Sequence, residues 1–553
     1  MLKNISSNFY SAWRNAYLKV AAVIILIALI GFPTVSQYGY SVDEGTEIAM
    51  VRRNIELITQ GKPIPGDLKY FGPVFNVTSE IVFQAQQYLT KGFDYNPLEY
   101  GKELDNEQSR LNALSGRVKV KHYMTFLVSL ITYAAVAGIV GILCGSDCAW
   151  FGATTLVFFP LFWGHSFFNP KDPPFAALFT LTTLAGAYLV NSYLQPQKDI
   201  KIGRNQATLY TVLYGILLGL LTGIRIGGFL ILFFILSTYL ILKFRQGFNR
   251  QNLLRFCGLY ILLCITWFIT NTICYPAFWS NPIGGFFETI GYLSAHLLKI
   301  EVLFAGKFIP IQSLPWNYLP TWMFFSIPLI FQIGFVVGTG LFIAKYKQLS
   351  TLQRACGILV LFQILFLPFI AIVKQSPMYD GMRHFLFTLP GIAALSAAAI
   401  IWIYQQLSQK SYKLAFVTFV TIVYGAIAYD MIALHPYQYI YVNRFSGGLE
   451  RIHTRYDTEF WGLSLREGME WINKNASPQT TTLVAGHLHS AQLFANPNLK
   501  VVDYTAANLA EVPKPFYYLA WPRWNAQSNL PECPVVYQVI RQNVPLSIVK
   551  RCD

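Results

Sequence analysis

Charged residues are scarce in this chain. Only 12% of its 553 residues are Asp, Glu, Lys or Arg, and 54% are hydrophobic, whereas soluble globular domains carry about 25% charged residues. This scarcity excludes an ordinary water-soluble fold for most of the chain. The net charge of +15 does not indicate a nucleic-acid partner, because the apolar runs leave no compact basic face. In membrane proteins such a surplus usually collects in cytoplasmic loops.

Metal and redox signals are also lacking. The eight cysteines form no CxxC pair, and no His/Cys cluster has the spacing of zinc ligands. Four cysteines lie in or near apolar runs and are predicted to be core residues: Cys257, Cys264, Cys274 and Cys356. No small-residue cleavage site follows the first apolar run, so we interpret Val20–Phe32 as a retained span and not as a signal peptide.

Long apolar runs, by contrast, are abundant. A helix needs roughly 17–25 residues to cross the hydrocarbon core. About eleven runs meet or approach this length: 17–33, 123–144, 148–163, 174–192, 207–223, 226–243, 256–275, 320–344, 355–373, 384–404 and 412–430. The third and fifth are short, which indicates a broken or tilted helix. The sequence therefore predicts a polytopic α-helical membrane protein.

The basic residues fall in alternate loops. If the N-terminus lies inside, four inside loops are basic, through Lys198, Lys201 and Arg204; Lys243, Arg245, Arg250 and Arg255; Lys345, Lys347 and Arg354; and Lys410 and Lys413. This pattern predicts a cytoplasmic N-terminus. Every unusual polar motif then falls on the outer side. That grouping favours an enzyme working at one membrane face over a transporter, whose polar residues usually lie near mid-membrane.

The outer side is predicted to hold a long loop and a separate domain. The loop covers residues 34–122, and its segments GTEIAMVRRNIELI and VTSEIVFQAQQYL have the spacing of amphipathic helices. After a membrane module of residues 1–434, residues 435–553 alternate helix and strand patterns, which predicts a small α/β domain. Its last two strands flank QNVP as a hairpin. Cys533 and Cys552 bracket that hairpin, as disulfide partners would in an oxidising compartment.

The adjacent acids Asp43 and Glu44 appear shortly after the first span. One interpretation is structural: acids in the first turn of a helix complement the helix dipole. The other is catalytic. One carboxylate would act as a general base at the membrane surface, with its pKa raised by burial and its charge stabilised by a nearby cation.

Four further outer segments contain candidate binding residues. GHSFFNPKDPPF supplies His165, Asn169, Lys171 and Asp172; TGIRIGG supplies Arg225; KQSPMYDGMRHFLFTLP supplies Tyr379, Asp380, Arg383 and His384. The structural alternatives are a proline-stiffened turn, a snorkelling arginine and an interfacial aromatic belt. Arginine also suits a lipid phosphate, because its guanidinium forks onto phosphate oxygens. The fourth segment, residues 435–472, is rich in Tyr, Trp, His and Arg and fits either carbohydrate contact or docking of the tail.

Together these segments resemble the GT-C glycosyltransferases, specifically the family 39-like branch of protein O-mannosyltransferases and lipid A aminoarabinose transferases. The resemblance is carried by the first span followed by the acidic pair, by the long outer loop, and by the segments HSFFNPKDPPF, YDGMRHFLFTLP and HPYQYIYVN...YDTEFWG. It covers most of residues 15–475. The final α/β portion does not match the sugar-binding tails of better-known members.

The resemblance implies a GT-C fold and inverting transfer of a sugar from a polyprenyl-phosphate donor to an outer acceptor. Asp43 would be the base, and Glu44 would orient it or the acceptor. The cations for the leaving phosphate would be Lys171, Arg225, Arg383 and His384. Asp172 would orient Lys171 or the sugar hydroxyls, and Phe167 and Phe168 would line the lipid groove. No cofactor is required, although GT-C relatives leave open a divalent metal bound by His165 and nearby acids.

The acceptor and the membrane stay open at this point. A protein, a glycolipid and a polysaccharide all fit as acceptor, and membrane lipid is a further partner. The bacterial inner membrane with a periplasmic active face is the expected location, with the endoplasmic reticulum as the alternative. Two other functions fit the same residues: a transporter or flippase of lipid-linked sugars, which needs the cations but no base, and a scaffold whose tail binds a partner.

Overall fold

The computed structural model describes residues 2–92, 107–195, 200–244, 247, 249–295 and 299–553. Lys198 and Arg245 of the predicted basic loops lie outside these residues, as do residues 93–106 of the predicted outer loop. Up to residue 433 the described chain is helical apart from one short hairpin. Its elements are α1 (Leu2–Val35), α2 (Glu44–Gln60), α3 (Val74–Lys91), α4 (Glu107–Cys144), α5 (Ala149–Val157), α6 (Pro160–His165), α7 (Asp172–Leu194), α8 (Ile200–Thr222), α9 (Leu230–Phe244), α10 (Arg250–Cys274), α11 (Pro282–Ala295), β1 (Glu301–Phe304), β2 (Lys307–Pro310), α12 (Tyr318–Ser326), α13 (Leu329–Lys345), α14 (Thr351–Val373), α15 (Leu389–Gln406) and α16 (Lys410–Ala433).

Within the described ranges, nine helices are long and apolar enough to cross a membrane. They are Asn15–Val35, Leu111–Cys144, Asp172–Leu194, Ile226–Phe244, Arg250–Cys274, Leu329–Gln348, Thr351–Val373, Arg383–Gln406 and Lys410–Ala433. The predicted fifth run corresponds to a shorter apolar helix, Gln206–Thr222. The third run is broken into α5 and α6, because Pro160 starts a new helix there. The length and composition of these helices confirm a polytopic α-helical integral membrane protein.

The bundle is tightly packed around α15. Residues 389–399 of this helix are all buried, and small side chains between them let the neighbouring helices approach closely. A Cβ added at Gly338 of α13 would lie 2.3 Å from the carbonyl oxygen of Leu395. Such close packing makes a rigid support for the loops at the helix ends.

The polar motifs gather at one end of the bundle, which we call the outer end. There the backbone N–H of Val74 donates to the carbonyl of Gly223 at 3.1 Å, and that of Val42 donates to Trp461 at 3.1 Å. The predicted inside loops meet elsewhere: Gln353 Nε2, at the start of α14, donates to Leu143 O, at the end of α4, at 3.3 Å. The sequence grouping of the polar motifs therefore corresponds to a grouping in space.

Helices α2 and α3 occur where the outer loop predicts amphipathic helices. The inward face of α2 is not purely apolar, however, since Glu44, Glu47 and Asn54 are buried beside Met50 and Val51. Glu47 pairs with the Lys171 ammonium and Glu44 with the His122 ring, as described below. The outward residues Arg52 and Arg53 both contact Glu56.

The tail contains the predicted α/β structure. Its elements are α17 (Gly448–Ile452), α18 (Leu465–Asn475), β3 (Thr481–Ala485), α19 (Leu488–Gln492), β4 (Lys500–Asp503), β5 (Phe516–Ala520), β6 (Val535–Arg541) and β7 (Val544–Cys552). The sheet order is β4-β3-β5-β7-β6. Strands β3, β4 and β5 are parallel, and β7 is antiparallel to both β5 and β6.

The predicted hairpin of the tail is confirmed, and the pairing of its two cysteines, which the sequence left open, is decided. The β6–β7 hairpin turns at Gln542 and Asn543, whose φ values of 47° and 63° suit a two-residue hairpin turn. Cys533 and Cys552 form a disulfide with their Cα atoms 4.9 Å apart. The domain boundary at residue 435 stays a prediction, because the core of the membrane module extends through Leu463.

Candidate active site

A cavity of about 350 Å³ opens at the outer end of the bundle. Its lining is largely apolar and comes from α7, α11, α14 and the turns that precede α3, α9 and α15. Six of the predicted site residues line it: Asp43, Lys171, Arg225, Tyr379, Arg383 and His384. Segments that are far apart in sequence thus meet around one space.

Asp43 stands immediately before α2, but its carboxylate does not cap that helix. Its Oδ2 accepts a hydrogen bond from Arg383 Nη1 at 2.9 Å, and 25% of the side chain is exposed. Only its backbone carbonyl joins the helix, by accepting from Glu47 N at 3.0 Å. The helix-start interpretation therefore holds for the backbone of Asp43, while its carboxylate faces the cavity.

Glu44 lies behind the cavity and is buried. Its Oε1 accepts from the backbone N–H of Ser41 at 3.0 Å and lies 2.8 Å from His122 Nε2 on α4. These contacts fix the turn that carries Asp43. The structure does not bring Glu44 to the cavity lining.

Each of the three cavity cations is held from behind by a buried carboxylate. The pairs are Lys171 with Glu47, Arg225 with Asp172, and Arg383 with Asp380. The carboxylate side chains are 1%, 2% and 3% exposed, in that order, whereas those of Lys171 and Arg225 are 20% and 24% exposed. This arrangement fixes the cations in place and leaves part of their charge facing the cavity.

The NPKD turn is organised by Asn169. Its Oδ1 accepts from the backbone N–H groups of Lys171 at 3.0 Å and Asp172 at 3.1 Å. Its Nδ2 donates to Asp172 Oδ2 at 2.6 Å and lies 3.0 Å from His165 Nδ1. Asn169 thereby presents Lys171 to the cavity and aligns Asp172 with Arg225.

His165 is enclosed by aromatic rings and does not line the cavity. It is fully buried, and its ring lies 5.3 Å from that of Phe168. Burial lowers the pKa of the His165 imidazole to about 3, so the ring is neutral and acts through Asn169. Phe167 and Phe168 are also fully buried and stack on Tyr38. The expectation that they line the lipid groove is wrong, because these rings fill the core.

The YDGMRH turn holds Arg383 between aromatic rings. Asp380 adopts a left-handed conformation with φ of 56°, which lets the chain reverse direction there. The Arg383 guanidinium lies 4.7 Å from the ring centre of Tyr379 and 4.5 Å from that of Trp461. The rings of Tyr379 and His384 are nearly perpendicular, 4.8 Å apart. Cation–π contact and ion pairing together fix the guanidinium.

The cations also set the protonation of the acid in the cavity. Burial by itself raises the pKa of the Asp43 carboxyl. The Arg383 and Lys171 cations outweigh that effect, so this pKa lies below its ordinary value of 3.8. Burial lowers the pKa of the Lys171 ammonium, but Glu47 and Asp43 outweigh it, so that pKa lies above its ordinary value. Both groups are therefore ionised at neutral pH.

Three residues that contact the site residues were not predicted from the sequence: Glu47, Trp461 and Arg523. Glu47 could have been found, because it follows Asp43 by one turn of α2 and so shares its side of the helix. Arg523 of the tail could not. Its Nη2 donates to Asp380 Oδ1 at 2.8 Å across 143 residues of sequence, and no local pattern connects the two. Trp461 lay in a segment assigned only to tail docking or carbohydrate.

Within the part of the chain that the structure describes, no three His, Cys, Asp or Glu side chains group closely enough to hold a metal ion. The Nε2 atom of His165 is buried and has no hydrogen-bond partner. Its neighbours within ring-contact distance are the aromatic side chains of Phe168, Tyr439 and Trp461.

Comparisons with known proteins found only distant similarity. No protein-family profile matches the chain, and no curated protein matches it. Among solved structures, the chain is similar to ArnT from Cupriavidus metallidurans bound to undecaprenyl phosphate, with 12% identity, a TM-score of 0.45, and coverage of 96% of this chain and 97% of that chain. It is also similar to the oligosaccharyltransferase from Archaeoglobus fulgidus tethered to an acceptor peptide, with 13% identity, a TM-score of 0.44, and coverage of 86% and 64%.

Proposed function

We propose that the chain is a membrane glycosyltransferase. It transfers a sugar from a polyprenyl-phosphate donor to an acceptor at the outer end, with inversion and with Asp43 as the general base. The observation that carries this proposal is a single carboxylate that faces three anchored cations, Lys171, Arg225 and Arg383, around one cavity.

The cations suit the leaving group of this reaction. A sugar phosphodiester carries one negative charge, and loss of the sugar leaves a phosphate monoester with greater charge. Fixed cations placed where charge develops stabilise the transition state more than the bound substrate. The two arginines add forked hydrogen bonding to phosphate oxygens.

The apolar part of the cavity suits the lipid. Phe175 of α7, Ile290 of α11 and Leu367 of α14 lie in its lining, on three different helices. An isoprenoid chain can pass from the bilayer to such side chains without losing an apolar environment, and packing contacts would then hold it. The phosphate would then lie between this apolar part and Asp43.

The position of Asp43 fits general-base chemistry. An acceptor hydroxyl oxygen attacks the anomeric carbon as the bond from that carbon to the phosphate oxygen breaks, and the bonding electrons leave with the phosphate. The hydroxyl proton passes to the Asp43 carboxylate, which is ionised because neighbouring cations lower its pKa. A single displacement of this kind inverts the anomeric centre.

The test separates binding from turnover in the full chain reconstituted in lipid nanodiscs. Asp43→Asn should lower transfer from an undecaprenyl-phosphate-linked hexose about 10²- to 10⁴-fold, the usual contribution of general acid–base catalysis. Binding of undecaprenyl phosphate should persist. Glu56→Gln, on the exposed face of the same helix, is the control and should retain full turnover.

The same experiment decides between the remaining functions. A flippase needs the cations but no base, so movement of the lipid without any sugar transfer by the unmodified protein would reject the glycosyltransferase. Unchanged transfer in Asp43→Asn would reject Asp43 as the base. A scaffold predicts no binding of undecaprenyl phosphate at all. Protein, glycolipid and polysaccharide acceptors would be offered in parallel.

We also propose that the outer end faces the periplasm of a bacterial inner membrane. The disulfide between Cys533 and Cys552 supports an oxidising compartment for the tail, and basic loops at the other end favour the cytoplasm there. A cysteine introduced at the exposed Asn508 should react with a membrane-impermeant maleimide in intact cells, and one at Gln348 should not. The reverse result would invert this orientation.

A further inference from the structure

Two neighbouring strands of the tail sheet, β3 and β5, end next to the segments of the membrane module that carry Asp43 and Asp380. From β3 the chain goes to β4 on one side of it and then crosses to β5 on the other. The carboxyl ends of β3 and β5 therefore flank a point where the strand order reverses, which is where open parallel sheets usually bind ligands. The segments that follow are the first loop, residues 486–490 (GHLHS), which runs into the start of α19, and the second loop, residues 521–525 (WPRWN).

The first loop lies on the turn that carries Asp43. A Cβ added at Gly45 would lie 3.9 Å from Cδ2 of His489, so this ring packs on the first turn of α2. The rings of His487 and His489 are 5.7 Å apart. Burial and then His489 lower the pKa of the His487 imidazole, while the charges of Asp43 and Glu44 raise it. His487 therefore lies within electrostatic reach of the proposed base.

The second loop is tied to the same site by charge. Arg523 donates to Asp380 at 2.8 Å, Asp380 lies 3.3 Å from Arg383, and Arg383 donates to Asp43 at 2.9 Å. Arg523 also donates to the carbonyl of Phe460 at 3.2 Å. The chain of ion pairs from Arg523 through Asp380 and Arg383 to Asp43 therefore fixes the position of the second loop relative to the cavity.

The two loops touch each other and end in an exposed indole. A Cβ at Gly486 would lie 3.2 Å from Cδ1 of Trp521, and the rings of Trp521 and Trp524 are 6.0 Å apart. Trp524 is 53% exposed although it has a φ of 52°, and Asn525 follows with a φ of 59°. A bulky residue in this region is a true outlier, and such strain persists chiefly at functional sites.

We propose that these two loops form the acceptor subsite and that the acceptor is a saccharide, with Trp524 as the surface on which one sugar ring stacks. The proposal rests on the proposed function, since it names the acceptor class for the same site. The Trp524 indole has the Arg523 guanidinium 4.8 Å from its ring centre and donates its N–H to the carbonyl of Glu301 at 3.3 Å. A sugar would stack on the part of the ring that stays exposed, while His487, His489 and Asn525 offer groups for hydroxyls. Sites of this kind combine aromatic surface with a few polar groups.

A peptide acceptor fits this surface less well. Peptides that bind sheets commonly pair with an exposed strand edge through their backbone. The edges of this sheet are β4 and β6. The two loops, which include His489 and Trp524, lie instead at strand ends and present side chains. A saccharide binds by stacking on aromatic side chains and by hydrogen bonding to polar side chains, and the two loops supply both.

The test measures binding by saturation-transfer NMR with the full chain in nanodiscs. The probes are maltohexaose, mannohexaose and chitohexaose, with a Ser/Thr-rich peptide mixture alongside. At least one hexasaccharide should bind, and Trp524→Ala should weaken its affinity about tenfold, as expected for loss of an aromatic stack. Trp316→Ala removes another exposed tryptophan, 63% exposed, and should change nothing.

Two further variants and a second ligand distinguish loss of saccharide binding from loss of folding or of lipid binding. Trp524→Phe should recover most of the binding, and His487→Ala should weaken it if Trp524→Ala proves unstable. Absence of hexasaccharide binding, equal effects of Trp524→Ala and Trp316→Ala, or Trp524-dependent binding of peptide alone would each overturn the proposal. Undecaprenyl phosphate binding is measured separately and should not depend on Trp524. Its absence from the unmodified protein would instead reject the proposed function.

Discussion

Two groups of charged side chains lie side by side at the outer end, and they differ in what surrounds them. The cavity cluster comprises Asp43, Lys171, Arg225 and Arg383 with their partners. The buried cluster comprises Glu44, Glu80, Arg117, Lys121 and His122, between α2, α3 and α4. Both combine acids and bases in similar numbers. The first lines a cavity of about 350 Å³, whereas in the second only His122 borders a cavity, a separate one of about 190 Å³.

This difference in exposure indicates that the cavity cluster can contact a ligand, whereas the buried cluster holds helices together. In the buried cluster, Arg117 and Glu80 pair at 3.1 Å with 7% of each side chain exposed, and His122 and Glu44 pair at 2.8 Å with 3% exposed. A ligand cannot reach such groups. Their attraction instead fixes α2 and α3 against α4, and the start of α2 sets the position of Asp43. The buried cluster thus positions Asp43, the proposed base.

The largest expected effect breaks the buried cluster. Arg117→Gln leaves the Glu80 carboxylate buried without its cation, which costs about 3–5 kcal/mol in comparable pairs. We expect the free energy of unfolding in detergent micelles to fall by this amount.

A double variant is the control for that loss. Arg117→Met with Glu80→Met removes both charges and should recover most of the stability, because apolar residues of similar volume replace a buried pair well. Equal instability of the single and double variants would show that packing, and not charge, anchors α3.

A smaller effect is expected for a matched change in the cavity cluster. Arg225→Lys keeps a positive charge opposite Asp172 but loses the forked geometry towards phosphate. Hydrogen bonds to charged groups contribute about 1.5–3 kcal/mol, so undecaprenyl phosphate should bind about 10- to 100-fold more weakly with little change in stability. Isothermal titration in nanodiscs measures this. Unchanged affinity would place the phosphate elsewhere.

The smallest expected effect is a shift in pH dependence. Cations lower the pKa of Asp43 below 3.8, so its ionised form is present above that pKa and is lost as pH falls through it. The acid limb of transfer should therefore have its midpoint below 3.8. Arg383→Gln removes the main cation and should move that midpoint upwards. Initial rates against pH, with folding monitored by circular dichroism, test the direction.

Arg225→Lys serves as the comparison for the pH shift. It preserves the charge near Asp43 and should leave the acid limb in place while still weakening the lipid. If Arg383→Gln also leaves the limb in place, the titrating group is not Asp43.

The spans were predictable because they depend on local composition. Apolar length identified the long helices, and the short third run correctly indicated a break, since Pro160 begins α6. The tail strands and the hairpin followed from alternation, whereas the cysteine positions near a turn allowed the disulfide without deciding it. In each case the information lies within a few neighbouring residues, which is the range over which periodicity and turn chemistry act.

The candidate site was predictable only in part. The distribution of basic loops predicted that Asp43, Lys171, Arg225 and Arg383 lie at the same end of the bundle. It did not show which carboxylate faces the cavity. Only the family resemblance favoured Asp43 over Glu44 as the base. Periodicity did not separate them, because adjacent helical residues point about 100° apart and either direction fits the pattern. The hydrogen bond from Arg383, which is 340 residues away in sequence, holds the carboxylate of Asp43 at the cavity.

The sequence by itself determined a helical membrane protein, the end at which its polar motifs gather, and the α/β character of its tail. These follow from hydropathy, loop charge and strand alternation, which neighbouring residues decide together. Tertiary structure alone decided that Glu44 anchors while Asp43 faces open space, that each cavity cation has its own buried acid, and that Arg523 joins the tail to Asp380. Such pairings depend on the packing of distant segments, because a buried charge is stable only where a partner from elsewhere in the fold reaches it.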